Sequence, residues 1–297
     1  MLWFALHFPL LPLEALACAP SSEGGGRAVA VRGRIFIGDP SAAAAGVAPG
    51  QRLSTALGLA PGLLVRERDP GREQVALAHL ACWAGRFTPQ VSLVPPATLV
   101  LEIDGCRRLF GGAGALIDAA LASCRELGYA PRWAAAPTPL GATWLAWSAG
   151  AALHDDPAGF AAALAALPCT IPAWPAETTA RIQSFGARRL GDLRRLAAVG
   201  LRRRLGSVVV DDLQRAWGEL PDPRRSFVFP EQFAQDLELP ARVEQAAALA
   251  FAGQRLFAAL AGWLHCRQLA TRSCRLLLRH DDGSRSALTL GLVAASA

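Results

Sequence analysis

The chain has 297 residues, 52% of them hydrophobic and 18% charged, with a formal net charge of +6. That length suggests two or more domains and enough apolar material for a sizeable core. All 30 basic residues are Arg, so any chemistry that needs a lysine amine is excluded.

The charge is unevenly spread. Residues 166–225 hold 11 Arg against six acidic residues, so nearly all the excess sits in one fifth of the chain. Such a patch is the footprint of a phosphate-backbone contact, or else a solvated Arg-rich helical face. The seven cysteines, Cys18, Cys82, Cys106, Cys124, Cys169, Cys266 and Cys274, are odd in number and form no C-x-x-C pair. They are expected to be free thiols in a reducing cytoplasm. The apolar start lacks a positive leader, is interrupted by Pro9 and Pro12, and contains Glu14. It does not fit a signal peptide, and with no long uninterrupted apolar run the chain is expected to be soluble and cytoplasmic.

In chain order, residues 2–8 predict a short buried strand, and 9–17 a turn entering a helix. Residues 21–26 predict a loop, and 28–31 with 34–37 a hairpin turning at Gly33. Residues 41–59 are Ala-rich and helical in two pieces, and 63–67 form a strand. Residues 72–86 predict an amphipathic helix packing Val75, Leu77, Leu80 and Trp83. Strands follow at 91–93 and 99–104, a helix at 115–127, a strand at 132–136, and helices at 139–148 and 157–166. This interleaving argues for an α/β layer. After Leu167 the character changes to short Gly-punctuated helices at 176–185, 190–196, 201–205 and 209–217. A Pro- and Arg-rich linker leads to a strand at 232–239, a helix at 244–266, and a hairpin of 272–279 and 286–293. The chain then stops with β-α-β-β built, so it is expected to be a fragment or truncated product.

One stretch draws the eye, LVLEIDGCRRLFGG at 99–112. Val100, Glu102 and Asp104 alternate with Leu99, Leu101 and Ile103, which predicts a strand with one apolar face. An acid at a strand end beside a turn is a common place for a metal ligand in phosphoryl transfer, and equally for a residue capping the turn. Arg107 and Arg108 beyond it are expected at the surface. Trp83, Trp144, Trp147, Trp217 and Trp263 fall within apolar helical faces and are expected in the core rather than stacked on bases.

The order of parts resembles the Y-family (UmuC/DinB-like) translesion DNA polymerases, and within them the non-catalytic ImuB-type branch. The resemblance rests on ALHFPLLPLEAL, GVAPGQRLSTALGLAP, RFTPQVSLVPP, LEIDGCRRLFGG, FGARRLGDLRRL and PDPRRSFVFPEQF in that order. It implies a multidomain α+β right hand. The ferredoxin-like palm would span 1–17 and 70–165, with inserted fingers at 18–69. A helix-hairpin-helix-like thumb would span 166–225, and an incomplete β-α-β-β little finger 232–297.

The resemblance also implies which chemistry to look for. Nucleotidyl transfer in this family needs two metals held by acids. With the register fixed on Glu14, the Asp-x-Asp positions fall on Ala5 and His7. The Ser-Ile-Asp-Glu motif falls on Glu102 to Gly105, keeping Asp104 and losing its Glu to Gly105. The triphosphate-clamping Tyr and Arg fall on Pro40 and Ala43, and the palm Asn-Lys and later Lys near Thr138, Pro139 and Thr143. Ala5, His7, Asp104 and Gly105 thus read as relic positions, with no catalytic residue, metal ligand or cofactor expected. The thumb would still hold DNA without reading its sequence, through Arg188, Arg189, Arg194, Arg195, Arg202, Arg203 and Arg204. CTIPAW at 169–174 stands where the first hairpin would carry its Gly-x-Gly turn. The implied partners are DNA, an error-prone DnaE-type polymerase, an ImuA-like protein and the sliding clamp. An active Y-family polymerase with altered ligands, and a helix-hairpin-helix module on an unrelated α/β fold, are the alternatives.

Overall fold

A computed structural model describes residues 1–15, 26–148, 150–237, 239 and 246–296. The chain divides into two compact units, and each is built from discontinuous segments.

The first unit comprises residues 1–8, 90–122 and 131–227. Its centre is a five-stranded sheet ordered β5-β6-β1-β7-β8. The strands are β1 (Trp3–His7), β5 (Val91–Val94), β6 (Thr98–Glu102), β7 (Arg132–Ala136) and β8 (Ala152–Leu153). All neighbours run antiparallel except β7 and β8, which are parallel. The alternation across 99–104 does not mark one apolar and one wet face. All five β6 residues are buried, Glu102 included, because β6 lies between two neighbours with both faces covered. The strand ends at Glu102, whose carboxylate accepts the Asp104 N–H at 3.1 Å, so Asp104 sits in the turn beyond it. Ser226 bridges to Ser92 and Phe227 N–H donates to Val91 O at 2.6 Å, which caps the outer edge of β5.

Helix α6 (Pro139–Trp147) lies along β1, β6 and β7. It is started by Thr138, whose hydroxyl accepts from Gly141 N–H at 3.1 Å and donates to Ala216 O at 2.7 Å. Then come α7 (Pro157–Ala166), α8 (Ala176–Ser184), α9 (Leu190–Arg194), α10 (Ala198–Leu205) and α11 (Ser207–Trp217). One apolar cluster joins the sheet to these helices. It runs from Ala5, Val100 and Ala134 through Trp144 and Leu145 to Leu190, Leu193, Leu201 and Leu213. The short helices α7 to α11, individually too short to persist in water, are held by this shared core.

The second unit comprises residues 9–89, 123–130 and 228–297. It contains α1 (Leu11–Glu14) and a three-stranded sheet ordered β3-β2-β4, from β2 (Arg27–Val31), β3 (Arg34–Gly38) and β4 (Leu64–Glu67). The β2–β3 hairpin turns through Arg32 and Gly33, both at positive φ, as a two-residue primed turn requires. Helices α2 (Pro40–Ala44) and α3 (Leu53–Leu59) complete this subdomain. Asp39 and Asp69 supply the side-chain caps of α2 and of α4 (Pro70–Ala84). Helix α5 (Ala113–Glu126) leads into the 127–130 turn. Helix α12 (Ala246–Cys266) and the hairpin β9 (Thr271–Arg279) with β10 (Arg285–Ser296) complete the unit.

The strand expected at 232–239 does not form. The described residues there have no regular structure and no strand beside them; instead the Phe233 ring packs against Trp263, centroids 5.9 Å apart. Residues 244 and 245 of the expected helix, residues 16–17 of the first one, the loop at 21–25, and Cys18 lie outside the described residues.

Candidate nucleic-acid interface

The register of β1 decides what stands beside Ala5 and His7. Ala5 pairs with Val100 on β6 and Ala134 on β7, and Val100 pairs with Ser92 on β5. His7 pairs with Thr98 and Arg132, and Thr98 pairs with Val94. Paired residues, and those two apart on a strand, share a face. The face that would carry the acids therefore presents Ser92, Val100, Ala5 and Ala134 in one row, and Val94, Thr98, His7 and Arg132 in the next. Neither row contains a carboxylate. Ala5, Val100 and Ala134 are fully buried in the cluster with Trp144 and Leu145.

Asp104 is not among them. Glu102 lies opposite Trp3, so Asp104 falls beside Met1, where its carboxylate meets the Met1 amine at 3.5 Å and Arg107 at 3.2 Å. Six residues of strand separate that end of β1 from His7, about 20 Å. The structure thus brings Ala5 and His7 together and leaves Asp104 and Gly105 at the far end. The sequence match of Glu102–Gly105 to an acidic motif does not survive the strand pairing.

His7 is held by neighbours rather than poised. Its Nδ1 lies 2.9 Å from Thr98 Oγ1, which also accepts the Trp147 indole N–H at 3.0 Å. Burial, helped by the positive charge of Arg132, lowers its pKa to about 4, so it is neutral at physiological pH. Two divalent cations would need several oxygen anions here. A methyl group, an isopropyl group, a threonine hydroxyl already engaged twice and one neutral imidazole do not fit them. Among the described residues no three of His, Cys, Asp and Glu gather in a way that would hold a metal ion. Thr138 caps α6, Pro139 opens it, and Thr143 is fully buried with its hydroxyl on Pro139 O. Pro40 opens α2 and Ala43 lies within it.

Arg188, Arg189, Arg194, Arg195, Arg202, Arg203 and Arg204 are all exposed, but they divide into two groups. Arg194 grips both oxygens of Glu219 and lies over the Trp217 ring at 5.1 Å. Arg202 donates to Asp211 at 2.8 Å and to Gln214 at 3.2 Å. These two tie helices together. Arg204 lies over Phe185 at 5.4 Å, and Arg195 reaches Asp192 only at 3.7 Å. Arg188, Arg189 and Arg203 form no ion pair among the described residues. Asp192 accepts the backbone N–H groups of Arg188 and Arg189 at 3.0 and 2.9 Å, which holds its carboxyl below the usual range and fixes the start of α9. The turn before α9 thus points guanidinium groups outward while its own backbone donors are used. In the 169–174 stretch, Trp174 is buried. Its indole N–H donates to Asp212 at 2.9 Å and its ring meets Trp144 edge-on at 5.8 Å. That turn is a packing device, not an open phosphate cradle.

No family model matches the chain. Protein ImuB of Caulobacter vibrioides strain NA1000 / CB15N is 32% identical over 174 residues, 58% of this chain but 38% of that relative; ImuB of strain ATCC 19089 / CIP 103742 / CB 15 gives the same values. The match thus spans well under half the length of the curated relatives. Among solved structures, an insertion ternary complex of Dbh DNA polymerase covers 100% of this chain and 89% of its own, with TM-score 0.61 and 13% identity. The Y-family DNA polymerase is the fold of this chain. DinB from Sulfolobus solfataricus and a Y-family Dbh-Dpo4 chimera match equally widely, each covering 99% of this chain and 89% of its own at TM-score 0.58 and 13% identity. In sequence the chain is ImuB-like, and its architecture is the multidomain α+β one that the Y-family resemblance implies. No described helix is long and apolar enough to cross a membrane.

Sequence reasoning missed Thr98, which joins His7 to Trp147, and nothing but strand pairing reveals it. It also missed Arg255. There the signal was present: Arg255 is the sole Arg, Lys, Asp or Glu in the 21 residues of α12.

Proposed function

We propose that this Y-family-like chain holds DNA and organises error-prone translesion synthesis without itself transferring nucleotides. One observation carries the reading: the positions where two-metal acids would stand, Ala5 and its neighbours Val100 and Ala134, are apolar and fully buried under α6. Opening that row to a hydrated divalent cation would dismantle the core that also fixes the thumb. On this reading DNA is held by its phosphates. Arg188, Arg189, Arg195, Arg203 and Arg204 supply the charge, while Arg194 and Arg202 shape the surface. Binding would be indifferent to sequence and steeply salt-dependent. The division into palm, fingers, thumb and partial little finger is kept as part of the proposal. The ImuB-like sequence makes an error-prone DnaE-type polymerase, an ImuA-like protein and the sliding clamp the protein partners to seek.

Primer extension by the purified chain with Mg²⁺ or Mn²⁺ tests the reading. No template-directed incorporation is expected. Incorporation that tracks the protein through purification would overturn it in favour of an active polymerase with other ligands.

A further inference from the structure

Helix α12 is seated on its own unit by an unusual set of contacts. Arg255 is only 7% exposed. Its Nε donates to Leu127 O at 2.8 Å and its Nη1 to Glu14 O at 2.5 Å, with the guanidinium 4.3 Å from the Tyr129 ring centre and 5.4 Å from that of Phe251. Two turns further on, α12 meets α4 backbone to backbone. A Cβ on Gly262 would lie 2.0 Å from Cys82 O, and one on Gly85 would lie 2.8 Å from Gly262 O. Past the crossing, the Trp263 indole and Arg267 both donate to Pro230 O, at 2.6 and 3.1 Å.

Polar and backbone groups, which water satisfies as well on release, carry part of this seat, alongside four buried apolar side chains of α12, Ala252, Ala259, Trp263 and Leu264. The hairpin that follows pairs with itself, and none of its described residues is buried. The seat also covers Glu14. One carboxyl oxygen accepts Ala130 N–H at 2.9 Å, while the other is buried with no hydrogen-bond partner among the described residues. The groups facing Glu14 are Arg255 from α12, Arg27 from β2, Cys124 from α5 and Tyr129 from the turn.

We propose that α12 is a releasable latch on α1, α4 and the 127–130 turn, and that a proton on Glu14 closes it. Burial outweighs the pull of Ala130 N–H, Arg255 and Arg27, raising the Glu14 pKa from 4.5 to about 7. A group whose pKa is raised on seating binds its proton more tightly when seated. Its contribution is therefore fullest below the free value and is lost as pH rises through the seated one. Between pH 6 and pH 8 seating should weaken roughly tenfold by that linkage. His79 on α4, which faces Asp236 and Arg255, has its pKa held below the ordinary value by burial. The latch does not depend on the proposed function.

Amide hydrogen exchange of the full chain at pH 6 and pH 8, corrected for intrinsic rates, tests this. Exchange in α12 and at residues 127–130 should be roughly tenfold faster at pH 8, with β1 and β6 unchanged. Glu14→Gln should abolish the difference. Gly262→Val should expose α12 at both pH values while β1 and β6 stay protected. Equal protection of α12 at the two pH values would overturn the latch, as would a pH effect that persists in Glu14→Gln. Loss of protection in β1 and β6 on Gly262→Val would do so too, because α12 would then be part of the core rather than a latch on it.

Discussion

The row through Ala5 and the arginine surface of helices α9 and α10 are built on one apolar cluster, and they differ in everything a ligand would notice. The row is closed, neutral and filled by side chains from α6. The arginine surface is open and positively charged, and Arg188, Arg189 and Arg203 form no ion pair among the described residues. A two-metal centre needs buried negative charge, and a phosphate-holding surface needs exposed positive charge. The arginine surface meets the second condition, and the row through Ala5 is apolar packing that does not meet the first.

The comparison breaks most sharply if a carboxylate can be put back. Ala5→Asp places an unpaired charge between Val100 and Ala134, and is expected to cost about 3–5 kcal/mol in urea-denaturation stability. A loss below about 1 kcal/mol would show that the row is open to water. Next is the join between the two regions. Asp212→Ala strands the buried Trp174 indole and should cost about 1–3 kcal/mol. Then comes pH. His7 titrates near 6.5 when unfolded and about 4 when folded, so the unfolded chain binds more protons between those values. Stability should fall as pH drops from 6.5 towards 4, and His7→Gln should flatten that decline in urea titrations run across the window. The smallest stability effects belong to the thumb surface. Ala at Arg188, Arg189, Arg195 and Arg203 should each change stability by less than about 0.5 kcal/mol. Together they should weaken filter-measured DNA binding and flatten its salt dependence, by up to about 0.9 in log–log slope for each phosphate no longer neutralised. Unchanged affinity and slope in the quadruple variant would remove the thumb from the DNA-binding account. Arg194→Ala and Arg202→Ala, by contrast, should register mainly as reduced stability.

Much of the fold can be read from residues. Local signals place β1, the short helices between 176 and 217 and, to within two residues, the starts of α2 and α4, because glycines, prolines and apolar spacing act over a few residues. What escapes depends on partners distant in sequence. Alternation alone puts Glu102 on a wet face, because it cannot say whether both faces of a strand are covered. A motif match sets Asp104 beside Ala5 because it carries no pairing register, whereas the ladder from Trp3–Glu102 to His7–Thr98 does. Residues 232–239 carry a few spaced apolar side chains, but a strand needs a neighbour, and Phe233 packs on Trp263 instead. For the thumb, the sequence shows which residues are charged but not that Arg194 and Arg202 spend their charge on Glu219 and Asp211.

Thr138 donates to Ala216 O, and the next turn of α6 receives the Asp222 carboxylate on Leu140 N–H at 3.0 Å. The thumb is therefore not hung from the sheet by its connecting chain alone. It is welded at the root, through a helix that itself lies on β1. A duplex gripped at Arg188 or Arg203 would be carried at a set bearing to that strand, like work in a fixture. Another enzyme that docked on this unit would meet the nucleic acid at one repeatable place.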